Sequence, residues 1–257
     1  MEHMPALFIG HGSPMNAIED NHYTKAWRSI AARIPRPKAI LVISAHWYTY
    51  GSYILNMEQP RTIHDMRGFP KELYDIQYPA KGDKVLSQRV FELLGEAATL
   101  DERWGYDHGT WSVLQQMYPK ADIPVIQLSV DQTVKAEDYY DMGRKLRPLR
   151  DEGILILGSG NVTHNLRLAN FQMKDGYPWA EEFDRYVKQH LLKGEHASVI
   201  HYQNAGTSAM KAVPALDHYA PLLYVLGSTE KNETVEVQND VCLMGSLSMT
   251  SYLFDAK

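Results

Sequence analysis

Short apolar runs recur along the chain, and most of them are apolar at every position rather than at alternate positions. Such runs of Val, Ile and Leu are typical of strands that are buried on both faces of a sheet. They predict strands over 5–11, 39–46, 52–57, 122–130, 153–162 and 241–253. The last predicted strand contains Gly245, and we expect it to pair antiparallel at one edge of the sheet.

Apolar residues at helical spacing fill the segments between these strands. They predict helices over 20–33, 83–97, 110–118, 135–150, 178–193 and 217–226, and Asp83 suits the N-cap of the second helix. Segments 58–81 and 194–216 are expected to be irregular. Strands that alternate with helices indicate an α/β fold, with a central, mostly parallel mixed sheet flanked by helices. Because the chain carries neither a repeat nor a linker, we expect residues 1–257 to form a single domain.

Three of the predicted strands lead into a histidine, namely His11, His46 and His164. Ligands of open α/β sheets bind beyond the carboxyl ends of the strands, so parallel strands would bring the three imidazoles to one edge. A fourth histidine, His218, stands at the start of the predicted helix 217–226. Neutral imidazole is the commonest metal ligand in proteins. The sequence therefore predicts a metal site at the carboxyl edge of the sheet.

Composition and charge exclude several other classes of function. The chain has 26 Lys and Arg residues against 31 Asp and Glu, so no basic surface for nucleic acid is expected. No apolar run approaches the roughly 20 residues that cross a bilayer, and we see no secretory signal. The single cysteine, Cys242, excludes an internal disulfide and suits a reducing compartment. We therefore expect a cytoplasmic protein without nucleic-acid or membrane partners, and the oligomeric state stays open.

The other polar residues near these histidines are less informative. His108 lies among aromatic residues and glycines, which favours a pocket wall, whereas His64 fits a substrate entrance and a hydrogen-bonded loop equally well. Asn161 and Asn165 flank His164 and are placed to orient either its ring or a bound oxygen. Arg67 and Arg167 are candidates to meet a substrate carboxylate, although solvation at the surface is the commoner use of arginine. The aromatic residues nearest the histidines are Trp47, Tyr48, Phe69, Tyr106 and Trp111.

Five motifs occur together in one order along the chain. They are Gly10-His11-Gly12-Ser13-Pro14, Ser44-Ala45-His46-Trp47, Asp107-His108-Gly109-Thr110-Trp111, Gly160-Asn161-Val162-Thr163-His164-Asn165-Leu166 and Asp217-His218-Tyr219-Ala220-Pro221-Leu222. The ordered set resembles the class III extradiol ring-cleavage dioxygenases of the LigB type, and most closely their bacterial 4,5-DOPA dioxygenase extradiol branch. The resemblance extends from about Met4 to the segment 244–249.

The resemblance implies a single α/β domain with a metal at the sheet edge. By motif match it implies metal ligation by His11, His46 and His218, with His164 as a fourth ligand or as the acid/base. It also implies that His108 is a second catalytic histidine. The broader class often uses two histidines and one carboxylate, whereas the third matching position in this chain is His218. One divalent ion, zinc or iron(II), is therefore expected.

The implied reaction opens the ring of a catechol such as DOPA with O₂ by 4,5-cleavage. Iron(II) offers six positions, and three histidine ligands leave three for the two catecholate oxygens and dioxygen. This count favours His11, His46 and His218 as ligands during turnover and His164 as the base. A tetrahedral zinc without substrate would accept all four histidines.

Two alternatives are compatible with the same residues. A zinc hydrolase of an amide or ester would also use histidine ligands, an open position and a nearby base. A non-catalytic metal-binding relative would keep the fold without the chemistry, although both His164 and His108 are present. A serine nucleophile at Ser13 or Ser159 has weak support, because the sequence around Ser159 lacks a complete Gly-x-Ser-x-Gly motif.

Overall fold

The computed structural model describes residues 3–255 and contains one large mixed sheet with helices on both faces. The strands are β1 (Ala6–Gly10), β2 (Ala39–Thr49), β3 (Ser52–Leu55), β4 (Ala98–Asp101), β5 (Val125–Asp131), β6 (Ile154–Gly160), β7 (Thr234–Gln238), β8 (Cys242–Leu243), β9 (Leu247–Ser248) and β10 (Ser251–Asp255). The helices are α1 (His22–Arg33), α2 (Lys71–Tyr74), α3 (Lys84–Leu94), α4 (His108–Met117), α5 (Ala136–Leu146), α6 (Pro148–Asp151), α7 (Pro178–Leu192), α8 (His196–Ile200), α9 (Thr207–Ala212) and α10 (Ala220–Gly227).

The eight-stranded sheet has the strand order β4-β3-β5-β2-β6-β1-β10-β7. Its four central strands, β5, β2, β6 and β1, are parallel to their neighbours within this group. β3 pairs antiparallel with β5, and β10 pairs antiparallel with both β1 and β7. The carboxyl ends of the central strands therefore share one edge, and the predicted single α/β domain is confirmed.

The central strands are buried on both faces because apolar residues occupy both sides of the pleat. Along β2, Leu41 and Ile43 belong to one core cluster, whereas Ile40 and Val42 belong to the cluster on the opposite face. Helices α5 and α10 contribute to the first cluster, and α1 and α4 contribute to the second. No helix among the described residues is long and apolar enough to cross a membrane.

Capping side chains decide where several of the predicted helices begin. Asp83 accepts a hydrogen bond from the Leu86 N–H and caps α3, as the sequence predicts. Asp107 accepts a hydrogen bond from the Thr110 N–H and caps α4. The predicted helix 110–118 therefore begins earlier, and His108 is its first residue. The predicted helix 217–226 begins later, at Ala220, so that His218 precedes α10.

The prediction of one long C-terminal strand over 241–253 is wrong. The segment forms the short antiparallel pair β8–β9 and then β10. Gly245 has a φ of +75°, which an extended strand does not accommodate, and it marks the break. β10 does pair antiparallel, but it lies inside the sheet because β7 covers its outer side.

The sequence analysis also overlooked two strands and several helices. β7 and β4 form the two edges of the sheet, and the alternation in Thr234–Gln238 was a usable signal for β7. The segment 194–216, which was expected to be irregular, contains α8 and α9. The segment 58–81 is irregular apart from α2. Residues 1, 2, 256 and 257 of the predicted domain lie outside the described residues.

Asp184 on α7 ties the C-terminal segment to the helical layer. Its buried carboxyl group accepts hydrogen bonds from the hydroxyls of Ser248 and Thr250. Ser248 in turn donates its backbone N–H to Thr163 and accepts from the Asn161 side chain. Burial raises the pKa of Asp184 to about 6, against the effect of its two hydroxyl donors.

Asp184→Asn is expected to change how stability depends on pH. An unfolded aspartate titrates near pH 3.9, so between about pH 4 and 6 only the folded wild type keeps this proton and its stability falls as pH rises. Asparagine does not bind or release this proton. The free energy of unfolding of the variant, relative to that of the wild type, should therefore rise by about 2–3 kcal/mol from about pH 4 to pH 8.

Chemical denaturation at both pH values measures this shift. The exposed Asp141→Asn variant serves as the control and should show no such change. A pH-independent difference between Asp184→Asn and the wild type would contradict the prediction.

Candidate metal centre

The carboxyl ends of three central strands position the first three predicted histidines. His11 follows β1 directly, and its N–H donates to the Gly160 carbonyl at the end of β6. His164 follows β6 after a short loop, and its N–H donates to the Ala212 carbonyl. β2 does not end at His46 as predicted but continues to Thr49.

His46 lies in a β-bulge of β2. The pairing of β2 with β5 jumps from Ile43–Leu128 to Tyr48–Val130, so β2 has the longer segment between these pairs. A bulge bends its strand and re-aims the side chains within it. The bulge therefore places His46 at the same edge of the sheet as His11.

His218 lies at the same edge of the sheet, in the segment that precedes α10. The Asn161 N–H donates to the His218 carbonyl oxygen at 2.9 Å, which fixes the segment before α10 against the end of β6. A Cβ atom on Gly160 would lie 2.2 Å from the same oxygen. Only glycine allows this close approach.

The rings of His11, His46 and His218 form a compact cluster. The ring centroids lie 5.0 Å apart for His11 and His46, 5.3 Å for His11 and His218, and 5.0 Å for His46 and His218. One nitrogen from each ring lies within 4.8 Å of the other two. The His11 and His46 Nε2 atoms are 3.2 Å apart. Two nitrogens bound tetrahedrally to zinc lie about 3.3 Å apart, so the spacing suits a shared metal ion.

Polar contacts at Nδ1 of two rings leave their Nε2 lone pairs free. The Ser159 hydroxyl donates to the Gly109 carbonyl at 2.6 Å, so it accepts from the His11 Nδ1–H at 2.9 Å. The Asp65 carboxylate lies 3.5 Å from His46 Nδ1 and favours a proton there. Two Nε2 lone pairs then face each other, an arrangement that a cation stabilises.

His218 completes the evidence that these residues fit a metal ion. It is 5% exposed, and neither of its ring nitrogens has a hydrogen-bond partner in the described part of the chain. Asp217 Oδ1 lies 3.2 Å from His218 Nδ1, but out of hydrogen-bonding alignment. Buried polar atoms without partners are costly, and a metal bond would satisfy one of them.

The cluster favours neutral imidazoles. Burial, followed by the charges of the neighbouring histidines, lowers the pKa of His11 and the pKa of His46 well below the usual value. Metal ligands must be neutral to donate their lone pairs. The environment therefore keeps these histidines ready for a cation.

Comparison with known families agrees with this arrangement. The family described as "Catalytic LigB subunit of aromatic ring-opening dioxygenase" matches residues 1–255. The chain belongs to the LigB family. The prediction of an extradiol ring-cleaving dioxygenase is thereby confirmed at the level of the family, which is metal-dependent.

Individual LigB relatives span nearly the whole chain. A protein of Escherichia coli K12 named "4,5-DOPA dioxygenase extradiol" is 50% identical over 255 residues, which cover 96% of this chain and 93% of the relative. A Beta vulgaris protein of the same name is 38% identical, with 96% and 95% covered. The crystal structure of an uncharacterized protein from Escherichia coli K12 superposes with a TM-score of 0.85 at 45% identity, and covers 98% of this chain and 100% of the other.

His164 stands beside the cluster of His11, His46 and His218, and its ring stacks on the His218 ring. The two centroids are 3.4 Å apart and the ring planes are inclined by 7°. The two rings are therefore nearly parallel, and the His164 ring lies outside the plane of the His218 ring.

His108 lies on the other side of the cluster and is held by Asp65. Its Nδ1 is 2.9 Å from Asp65 Oδ2, and its backbone N–H donates to Asp65 Oδ1 at 2.8 Å. The His108 ring centroid is 3.7 Å from that of His46. Burial opposes ionisation of Asp65, but the hydrogen bonds and charge of His108 hold the pKa of Asp65 below its ordinary value. Asp65 is therefore a carboxylate that orients both His46 and His108.

Other residues that the sequence singled out have structural roles. The Asn161 and Asn165 side-chain amides donate to the Ser248 and Lys211 carbonyls and do not orient the His164 ring. His64 Nε2 lies 3.1 Å from the Ile76 carbonyl, as in a hydrogen-bonded loop. Tyr106 and Trp111 are fully buried in the core. Cys242 is buried in β8 rather than in the last strand.

The sequence pattern does not single out Asp65, and it offers Ser159 only as a weakly supported nucleophile. Ser159 instead holds the His11 ring. Asp65 lies in an irregular segment whose path the pattern of apolar residues does not define. Its position next to His64 drew no attention, because nothing local shows that it meets His108, which is 43 positions further along the chain.

Asp65→Asn is expected to weaken metal binding by about 10- to 100-fold, because partners of metal-bound histidines fix their orientation and tautomer. Titration of the apoprotein with zinc in competition with a chelator measures the change. The exposed Asp75→Asn variant is the control. An unchanged dissociation constant for Asp65→Asn would show that Asp65 does not orient His46.

Proposed function

We propose that this LigB protein opens the ring of a catechol such as DOPA with dioxygen, by 4,5-cleavage, at a single metal ion. His11, His46 and His218 are the proposed ligands, His164 is the proposed base, and His108 is a second acid/base. The choice of DOPA rests on the names of the relatives from Escherichia coli and Beta vulgaris. The observation that carries the proposal is the set of three clustered imidazoles, in which the Nε2 atoms of His11 and His46 face each other and both His218 ring nitrogens lack a partner among the described residues.

The ligand set leaves room for substrate on a six-coordinate ion. Iron(II) held by three histidines would supply positions for both catecholate oxygens and for dioxygen, together with the electrons that zinc does not exchange. We propose iron(II) as the catalytic metal and zinc as an inactive substitute. A cytoplasmic location, as the single cysteine suggests, remains part of the proposal.

His164 is suited to take a proton from the catechol. Burial, followed by the charge of His218, lowers the pKa of His164 to about 2, so the imidazole is neutral and able to accept. The negative charge that develops on the catechol oxygen favours the imidazolium and raises this pKa during the transfer. His164 therefore becomes a stronger base as substrate binds.

His108 is suited to return a proton to the ring-opened product. The Asp65 carboxylate lies 2.9 Å from Nδ1 and fixes the orientation of the ring, as the acidic partner of a catalytic histidine does. The His108 ring centroid lies 6.0 Å from that of His11 and 3.7 Å from that of His46, so His108 borders the three proposed ligands.

Anaerobic loading with iron(II), followed by oxygen-electrode measurements on a panel of catechols, tests the proposed function. We expect oxygen consumption and a yellow ring-opened product with the iron-loaded protein and none with the zinc-loaded protein. Hydrolysis of an ester or amide by the zinc form, without oxygen uptake by the iron form, would favour the hydrolase. Absence of both activities would favour a non-catalytic metal-binding protein.

A further inference from the structure

A small cavity opens beside His164 and Asp217. It measures about 260 Å³ and is lined by His164, Arg167, Pro214 and Asp217, among others. Pockets for whole ligands typically measure about 300–1,000 Å³, so this cavity has the size of a subsite. Its wall includes the ring that stacks on the proposed ligand His218.

The cavity carries one positive and one negative side chain. Arg167 is exposed, and it has no ion-pair partner among residues 3–255. Asp217 is 31% exposed at its side chain, and its contacts with His218 both use Oδ1. Asp217 Oδ2 and the Arg167 guanidinium thus remain available to a ligand. Leu166, Pro214 and Ala215 add apolar walls between them.

We propose that this Arg167–Asp217 subsite binds the amino-acid end of a catechol amino acid. Arg167 would bind the carboxylate, and Asp217 would bind the ammonium group. The inference rests on the proposed catechol dioxygenase activity and assigns the groups that select the substrate. A guanidinium matches a carboxylate with two parallel hydrogen bonds, and a carboxylate accepts from an ammonium group.

The position of the subsite agrees with a catechol bound at the metal. Asp217 adjoins His218 in the chain, so the subsite begins within one residue of the metal cluster. The ring centroid of His46 on β2 lies 5.0 Å from that of His218. A catechol bound at these histidines would therefore lie between β2 and the subsite.

A second groove near the metal is a less suitable place for an amino acid. It measures about 580 Å³, adjoins His46, and is lined by Trp47, Trp104 and Arg103. The Arg103 Nε donates to Asp101 Oδ1 at 2.9 Å, so the charges of Arg103 and Asp101 already neutralise each other. Trp47 and Trp104 stack with ring centroids 5.7 Å apart. The groove is thus aromatic and lacks a free pair of opposite charges.

The test compares three catechols that differ only in the charges of their side chain. L-DOPA carries both groups, dopamine lacks the carboxylate, and dihydrocaffeate lacks the ammonium group. We expect the wild type to prefer L-DOPA over each of the other two in kcat/KM. Arg167→Gln should reduce the preference over dopamine by about tenfold or more, and Asp217→Asn should do the same for the preference over dihydrocaffeate.

Arg167→Gln should mainly change the preference over dopamine, and Asp217→Asn should mainly change the preference over dihydrocaffeate. A general loss of folding or of metal would lower the activity with all three catechols alike. Calorimetric binding of the same three compounds to the zinc-loaded protein repeats the comparison without turnover. Arg103→Gln is the matched control in the aromatic groove. Loss of the carboxylate preference in Arg103→Gln instead of Arg167→Gln would overturn the proposal.

The outcome for the wild type separates this inference from the proposed function. Oxygen uptake with all three catechols at equal kcat/KM would overturn the subsite and leave the dioxygenase intact. No uptake with any catechol by the iron-loaded wild type would contradict the proposed function itself. Calorimetry that shows no preference for L-DOPA would then overturn the subsite as well.

Discussion

His218→Ala is expected to abolish metal binding and to reduce catechol cleavage below detection, while the apoprotein still folds. His218 has two buried ring nitrogens without a hydrogen-bond partner in the described part of the chain. Its removal therefore breaks no hydrogen bond and leaves only the metal without a ligand. Metal analysis after iron loading and oxygen uptake with a catechol measure the two effects, and thermal unfolding of the apoprotein reports the fold.

His64→Ala is the matched control for this variant. His64 is a loop histidine that contacts the Ile76 carbonyl and packs against Trp111, outside the metal cluster. Its replacement should lower stability without changing the metal content. A His218→Ala protein that retains one equivalent of metal would exclude His218 as a ligand and would require another residue, such as Asp65, in its place.

His164→Ala is expected to lower kcat by about 10²–10⁴-fold, which is the usual contribution of a general base, with the metal retained. The His164 ring stacks on the His218 ring and lies outside its plane. The backbone N–H of residue 164 keeps its bond to the Ala212 carbonyl, so the loop should not move. Turnover and metal content, measured on the same preparation, separate the two roles.

The half-buried His190→Ala variant controls for loss of a histidine elsewhere. Metal loss in His164→Ala equal to that in His218→Ala would show that His164 is a fourth ligand, as in the tetrahedral zinc alternative. Full turnover with metal retained would instead assign the proton transfer to His108.

The sequence predicted the central strands well because their apolar residues satisfy both faces of the sheet at once. It failed at 241–253 and 194–216, where short elements are stabilised by tertiary contacts rather than by a pattern of their own. Asp184, for example, holds Ser248 and Thr250 from a helix more than 60 positions away. Such contacts leave no local trace in the apolar spacing.

The histidine cluster also depends partly on local sequence patterns and partly on tertiary contacts. His11 and His164 follow strands that the sequence identifies, whereas His46 depends on a bulge in β2 and His218 depends on the close approach that Gly160 permits. The roles of Asp65 and Ser159 required the packed structure, because their partners are distant along the chain.

The amino-acid sequence by itself determined that this chain forms a parallel-centred α/β sheet with histidines at its carboxyl edge. Strand periodicity and strand ends are local properties that each segment carries alone. Only the tertiary structure decided which nitrogens face one another, which carboxylate orients them, and which ring stacks outside the ligand plane. Those relations depend on distances of a few ångströms between remote segments, and close packing sets such distances across the whole fold.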